Sequence, residues 1–330
     1  MRLRHLHLPS RAPSLYPPYA LASRVQEHLR RQQLDFKDSS SSSGHHETQP
    51  PPPSPPAAPP PTLLSFTPLP TYTLGRRQTA PLTAQETARL QAPLHHYHHQ
   101  TPPPSSPNTT TPPPLPVSIL NSPRGGLTTY HGPGQTVLWP VLDLRSPYHK
   151  QYKVRCYSRL LEETTIATLA SQFGLAAFTT ADPGVWVRQA DQGDEQAKIA
   201  ALGVHLRRHV SALGTAINVA MPGAAVVDER CNPWARIVAC GLEGRTVTSV
   251  AGQVAPPPCG AVLDERAVAE AWAAELAVRI GVDGVEMVGV DEVVALLERL
   301  LEGSAGQVGE EGVGQGEREY VAAIRRLGTV

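Results

Sequence analysis

The sequence lacks a charge of one sign, cysteine pairs and long apolar runs. Lys plus Arg and Asp plus Glu each number 29, so the formal net charge is zero. Bulk electrostatics therefore selects neither nucleic acid nor an anionic membrane as partner. The four cysteines, Cys156, Cys231, Cys240 and Cys259, form no C-x-x-C pair and have no histidines at zinc-finger spacing. Such sparse usage fits free thiols in a reducing compartment. No apolar run approaches the ~20 residues that a membrane helix needs. Aromatic residues are only 5%, whereas there are 35 prolines, too many to sit inside regular elements, so part of the chain is irregular. Hydrophobic residues at 40% still allow a sizeable core in the rest.

The irregular part falls in two places. Residues 38–61 run from DSSSSSGHHETQ into PPPSPPAAPPP, and residues 95–116 read HHYHHQTPPPSSPNTTTPPPLP. Neither composition buries apolar surface, so both are expected to be disordered low-complexity insertions into one domain. Long loops on a folded core cost little extra closure entropy. His95, His96, His98 and His99 lie in the second insertion and are read as adventitious metal binders at most. The other segments have patterns. Met1–Leu8 reads as a strand, since Leu6 and Leu8 alternate with polar neighbours. The early arginines also resemble a presequence, but Pro9 and Pro13 would break its helix. Helices are expected at 19–34, 152–173, 265–280 (ending at Gly281), 292–302 (capped by Asp291) and 318–327. A strand is expected around Leu63–Phe66, followed by the ordered run Thr71–Arg77, and further strands at 117–120, 136–144, 176–179, 184–188, 198–206, 215–220 and 236–240. Strands and helices mix without a strict βαβ rhythm. The fold class is therefore α/β or α+β, with one large mixed sheet flanked by helices. The domain spans 1–302, and 303–330 is a Gly/Glu-rich tail with a short terminal helix.

Three constellations carry possible chemistry. The first is the string Arg124-Gly125-Gly126-Leu127-Thr128-Thr129-Tyr130-His131-Gly132-Pro133-Gly134-Gln135, expected as a loop between two strands. Its glycines let backbone approach a ligand closely, and its polar side chains surround that backbone with donors and acceptors. The glycines alone are ordinary turn signals. No Gly-Lys-Ser/Thr follows, so it is not a phosphate-binding P-loop. The second is Lys198 within Ala197-Lys198-Ile199-Ala200. It is either a strand-edge charge or an amine whose pKa burial lowers towards neutrality. The third is Ile237-Val238-Ala239-Cys240-Gly241. A thiol there is either packed core or a nucleophile with a glycine N–H at hand for an oxyanion. A thiol with pKa ~8.5 needs a cation beside it to ionise near neutral pH, and Lys198 is the candidate. Cys156, Cys231 and Cys259 are read as structural or incidental.

In this order, RGGLTTYHGPGQ, KIAALGVHLRR and NPWARIVACGL resemble the lipoyl(octanoyl)transferases, relatives of the biotin and lipoate protein ligases. PTYTLGRR at 70–77, LDLR at 142–145, RLLEETTIATL at 159–169 and PGVWV at 183–187 agree further. The resemblance covers about residues 1–37, 62–90 and 115–282. It implies a biotin/lipoate protein ligase-like catalytic domain that moves an octanoyl group from octanoyl-acyl carrier protein to a lysine of a lipoyl domain. Those domains belong to 2-oxoacid dehydrogenases and the glycine cleavage H protein. It implies Cys240 as the nucleophile that holds the acyl group as a thioester, and Lys198 as the proton relay. The substrate would be bound by Arg124, Gly125, Gly126, Thr129, Tyr130, His131, Gly132, Ala200, Leu202, Gly203, Gly214 and Ala216. A thioester preserves the donor's energy, so no ATP is implied. No metal, nucleic acid or membrane is implied either. A monomer and a mitochondrial matrix location are expected.

The sequence departs from the family pattern at Leu213, where a His usually precedes the glycine. It departs again at Thr67-Pro68-Leu69-Pro70 in place of Glu-His-Pro-Pro, and at Ala239 in place of Pro. Three rival readings remain. One is an ATP-dependent lipoate or biotin ligase of the same fold, which would need no cysteine. The second is a scaffold that presents its proline-rich segments to aromatic grooves. The third is an inactive homologue.

Overall fold

A computed structural model describes residues 1–42, 57–97, 112–189, 195–238, 245–254, 263–304 and 314–328. Its main body is an eight-stranded mixed sheet. Strand β1 (Leu3–His7) pairs in parallel with β2 (Thr62–Phe66) on one side and with β11 (Val285–Met287) on the other. From β2 the sheet continues antiparallel through β6 (Gln135–Val141), β9 (Val210–Asn218) and β8 (Glu195–Arg207). Strand β8 also pairs antiparallel with β7 (Val185–Gln189) and parallel with the short β10 (Thr246–Val247). A second, three-stranded sheet has β3 (Thr71–Leu74) between β4 (Ser118–Asn121) and β5 (Thr129–His131).

The large sheet is covered on both faces, as the mixed apolar runs of its strands require. Helices α3 (Val154–Phe173) and α5 (Glu265–Ile280), with the one-turn α4 (Val250–Gln253) before α5 in the chain, cover one face, with Tyr157, Leu161, Leu169, Trp272 and Leu276 fully buried against Ile199, Ile217 and Val219. Trp272 Nε1 donates to Thr165 Oγ1 at 3.0 Å, which satisfies both buried groups across the helix pair. Helix α1 (Tyr19–Ser42) covers the other face, with α6 (Val290–Ser304) and α7 (Gln315–Gly328) packed beside it around Val25, Phe66, Trp139 and Leu297. A third, smaller core of Tyr72, Tyr130, Leu90 and Trp234 sits under the three-stranded sheet and α2 (Ala84–Gln91).

The expected fold class stands, with the small sheet as an addition. Other expectations need correction. Helix α1 continues past residue 34 to Ser42, because Lys37 and Asp38 ion-pair with Asp143 and Arg208 beneath and beside it. Residues 176–179 form one bridge, Phe178 to Trp186, and no strand. Asp291 lies inside the first turn of α6 and is not its cap; a carboxylate there still suits the helix dipole. The expected strand at 236–240 begins instead in a 3-10 turn, Pro233–Arg236. Asn232 caps that turn by accepting from Trp234 N, and Pro233 presets its first dihedral. Residues 239–244 lie outside the described residues. Helix α2 had no counterpart in the sequence reading, although Thr83 and Glu86 form a reciprocal capping box at its start.

Candidate active site

The glycine-rich string is not a plain loop. Its middle, Thr129–His131, is strand β5, paired with Thr71–Thr73 of β3. β-branched and aromatic residues favour that pairing, and Tyr130 meets Tyr72 across the strands at 5.2 Å between rings. Arg124 holds the first half of the string in shape. Its guanidinium donates to the carbonyls of Gly125 (3.0 Å), Leu127 (2.8 Å) and Thr73 (2.6 Å), and to Thr73 Oγ1 (2.8 Å). The arginine is buried, and its stem crosses β8 at Gly203, where a Cβ would stand 2.8 Å from Arg124 Cδ. The second half turns through Gly134, whose φ of 83° suits glycine.

A small cavity opens between this string and the large sheet. Its volume is about 30 Å³, above the ~10–15 Å³ that an ordered water needs. Arg124, Thr129, His131, Leu202, Gly203, Gly214 and Ala216, all expected from the sequence, line it. Gly125, Gly126, Tyr130, Gly132 and Ala200 are not in its wall. Tyr130 instead packs in the small core with Tyr72 and Trp234. The sequence reading missed Tyr19 and Trp139, which close the cavity from α1 and β6. Both read as ordinary apolar core positions, so no signal separated them. Leu213 also lines the cavity, at a left-handed φ of 61° that is costly for a leucine.

The cavity has polar atoms in a mostly apolar wall. The hydroxyls of Thr129 and Thr215 are buried and have no hydrogen-bond partner among the described residues. His131 stacks on Tyr19 at 5.3 Å, and its Nδ1 lies 2.8 Å from Gln135 Oε1. Burial, with the Arg124 charge acting in the same sense, lowers the His131 pKa to about 4, so the imidazole is neutral at pH 7.

Lys198 is buried in β8, opposite Trp186 of β7. Its Nζ donates to Pro183 O at 3.0 Å and sits 4.8 Å from the centre of the Trp186 ring. The Arg245 guanidinium lies 5.2 Å from the same ring centre. Glu162 accepts from Gly184 N at 3.1 Å, and burial raises its carboxyl pKa. Strand β10 aligns Thr246 and Val247 with Ala197 and Lys198. The chain thus returns from residues 239–244 directly beside the lysine. Cys240 and Gly241 are in that segment and lie outside the described residues. Cys156 is an exposed thiol on α3, and Cys231 is half-buried with its Sγ 3.6 Å from Asp228 O. Among the described residues no group of three or more His, Cys, Asp or Glu side chains is placed to hold a metal ion.

The family model for the lipoyl protein ligase A/B catalytic domain matches residues 54–266. The chain belongs to that family. Its matched region takes in the glycine-rich string, Lys198 and Cys240. Within the family it is 40% identical over 136 residues to an octanoyltransferase of Rickettsia africae, covering 41% of this chain and 59% of that protein. It is equally 40% identical over 136 residues to a probable octanoyltransferase of Schizosaccharomyces pombe, covering 41% and 54%. The match therefore spans less than two thirds of these curated relatives. In structure the chain is similar to a bipartite lipoate protein ligase of Thermoplasma acidophilum. The TM-score is 0.51 at 14% identity, over 95% of this chain and 100% of that one. That likeness shows the fold.

Proposed function

We propose that the chain transfers an octanoyl group from octanoyl-acyl carrier protein to a lysine of a lipoyl domain, through a thioester on Cys240. The observation that carries this reading is the surroundings of Lys198. A buried amine lies on an indole face, and the strand returning from the cysteine segment aligns with the lysine itself. The indole face and the Pro183 carbonyl hold the amine beside the returning strand; charged, it favours a thiolate there, and neutral, it takes the proton of the thiol and later that of the incoming lysine. The carrier thioester is attacked by the Cys240 sulfur. The carrier thiol leaves with a proton, and the octanoyl group stays on sulfur. The lipoyl-domain amine then attacks that thioester, forms the amide and returns the thiol. No bond in this sequence needs ATP. Identity of 40% to proteins named octanoyltransferase supports the reading over an ATP-dependent ligase.

Intact mass spectrometry tests it. After mixing with octanoyl-carrier and no ATP, the protein is expected to gain one octanoyl group that hydroxylamine removes, and Cys240→Ser is expected to gain none. Turnover that required ATP and survived Cys240→Ser would overturn the mechanism.

A further inference from the structure

A line of buried side chains runs under the cavity, and the groups at its ends fix its direction. His131, Gln135 and Asn218 are all buried. Asn218 Nδ2 donates to Thr248 O at 2.9 Å. A main-chain carbonyl only accepts, so the nitrogen of Asn218 faces it and Oδ1 is left for Gln135. That oxygen accepts from Gln135 Nε2 at 2.9 Å. The same Nε2 reaches Tyr130 O at 3.4 Å, a second group that can only accept. Two carbonyls at separate points thus orient both amides, and Gln135 Oε1 stands 2.8 Å from His131 Nδ1. An amide oxygen accepts, so Nδ1 carries the hydrogen. The imidazole is neutral at pH 7, as found above, which leaves a bare lone pair on Nε2. His131 lines the cavity, and no hydrogen bond to its Nε2 occurs among the described residues. At its far end the line reaches the lysine strand, because Thr248 N donates to Lys198 O at 3.0 Å.

We propose that Gln135 and Asn218 are positioning residues that hold His131 in its Nδ1–H form, so that Nε2 accepts a hydrogen bond from an N–H of the bound substrate. In this form the ring cannot donate to an acyl carbonyl. The tautomer is independent of the octanoyl-transfer reading. Only the source of the N–H rests on it: an amide of the carrier's prosthetic arm, or the amine of the acceptor lysine.

The test uses the full chain labelled with 15N-histidine. A two-bond proton–nitrogen correlation at about pH 7 separates the two tautomers from the imidazolium. The His131 signal is identified by its loss in His131→Asn or, should that variant not fold, by its contact with the Tyr19 ring. A pyrrole-type Nδ1 and a pyridine-type Nε2 are expected. An Nε2–H form or an imidazolium overturns the proposal. In Asn218→Leu a mixture of tautomers is expected, and a spectrum still purely Nδ1–H removes Asn218 from the role. Single-turnover rates then separate the two sources. Asn218→Leu is expected to slow one half-reaction about tenfold, the lower end of what outer partners of a histidine cost at metal sites. Slowing of acylation by octanoyl-carrier assigns the arm amide, and slowing of transfer to the lipoyl domain assigns the lysine. No slowing, or equal slowing of both, overturns the acceptor role. A wild-type protein that transfers no octanoyl group sinks the functional reading, and the tautomer result then stands by itself.

Discussion

Mild acid should destabilise this protein, and three histidines, His5 and His131 buried and His7 half-buried, set the expected scale of the effect. In the unfolded chain imidazoles take up protons below about pH 6.5. In the fold, burial keeps His5 and His131 neutral down to about pH 4 and His7 down to about 3. Between those limits the unfolded state binds more protons, so stability falls as pH falls. Three protons at 1.36 kcal/mol each give a limiting slope of about 4 kcal/mol per pH unit near pH 5. That is a large share of a typical total of ~5–15 kcal/mol. Glu162 and Glu265 act in the opposite sense, because burial raises their pKa and they protonate earlier in the fold. His28 and His205, whose pKa values burial also lowers, add in the first sense, so the difference between wild type and a variant is the quantity to read. One variant isolates a single histidine. His131→Gln replaces the ring with a neutral group and should reduce the slope by about 1.4 kcal/mol per pH unit. Urea denaturation at about pH 7, 6, 5.5 and 5, followed by circular dichroism, measures both slopes. Equal slopes in the two proteins would refute the claim that burial holds His131 neutral.

Gly214 and Gly203 face each other across β9 and β8 but should fail differently. A Cβ at Gly214 would stand 2.2 Å from Leu138 O, a main-chain atom of the next strand, so Gly214→Ala should cost about 3 kcal/mol and much of the soluble protein. At Gly203 the obstacle is the flexible stem of Arg124. Gly203→Ala should therefore cost no more than about 1–2 kcal/mol in stability, yet reduce turnover by pulling the guanidinium from the glycine-rich string. Thermal melts beside transfer rates distinguish the two, and the reverse ranking would contradict the geometry. Buried Arg236 donates to the carbonyls of Leu90, Ala92, Pro93 and Glu229, closing the end of α2. Arg236→Leu leaves those carbonyls unpaired and should lower the unfolding free energy by about 2–4 kcal/mol; a loss under about 1 kcal/mol would refute that role.

Local pattern carried much of this architecture. The helix at 265–280 is legible because Gly281 ends it, there in a left-handed conformation, while the Asp264 cap at its start shows only in the structure. The strands around Phe66 and Trp139 were legible from runs of apolar residues. What local pattern missed was set by distant partners. β11 pairs with the first strand, and its exposed residues leave little alternation to read. β5 forms because β3 lies beside it, although glycines flank it on both sides. Residues around the cavity show the same division. Arg124 and His131 were singled out from their string, whereas Tyr19 and Trp139 reach the cavity from two distant elements. Arg124 lines the cavity and its guanidinium also holds three main-chain carbonyls, a role that spacing alone does not disclose. Asn218 sits in a run of buried β9 residues, and only the partners of its amide reveal its position in the line to His131.

The place of β1 inside the sheet has a consequence in time. This strand is followed about 55 residues later by β2, which can pair with it early. Its other edge waits for β11, about 280 residues later. At ~5–20 residues per second, that edge stays open for roughly 15–60 s of synthesis. Throughout that interval its free N–H and C=O groups can template pairing with another chain. Between the making of β1 and that of β11 this edge is exposed, and slower translation lengthens the interval.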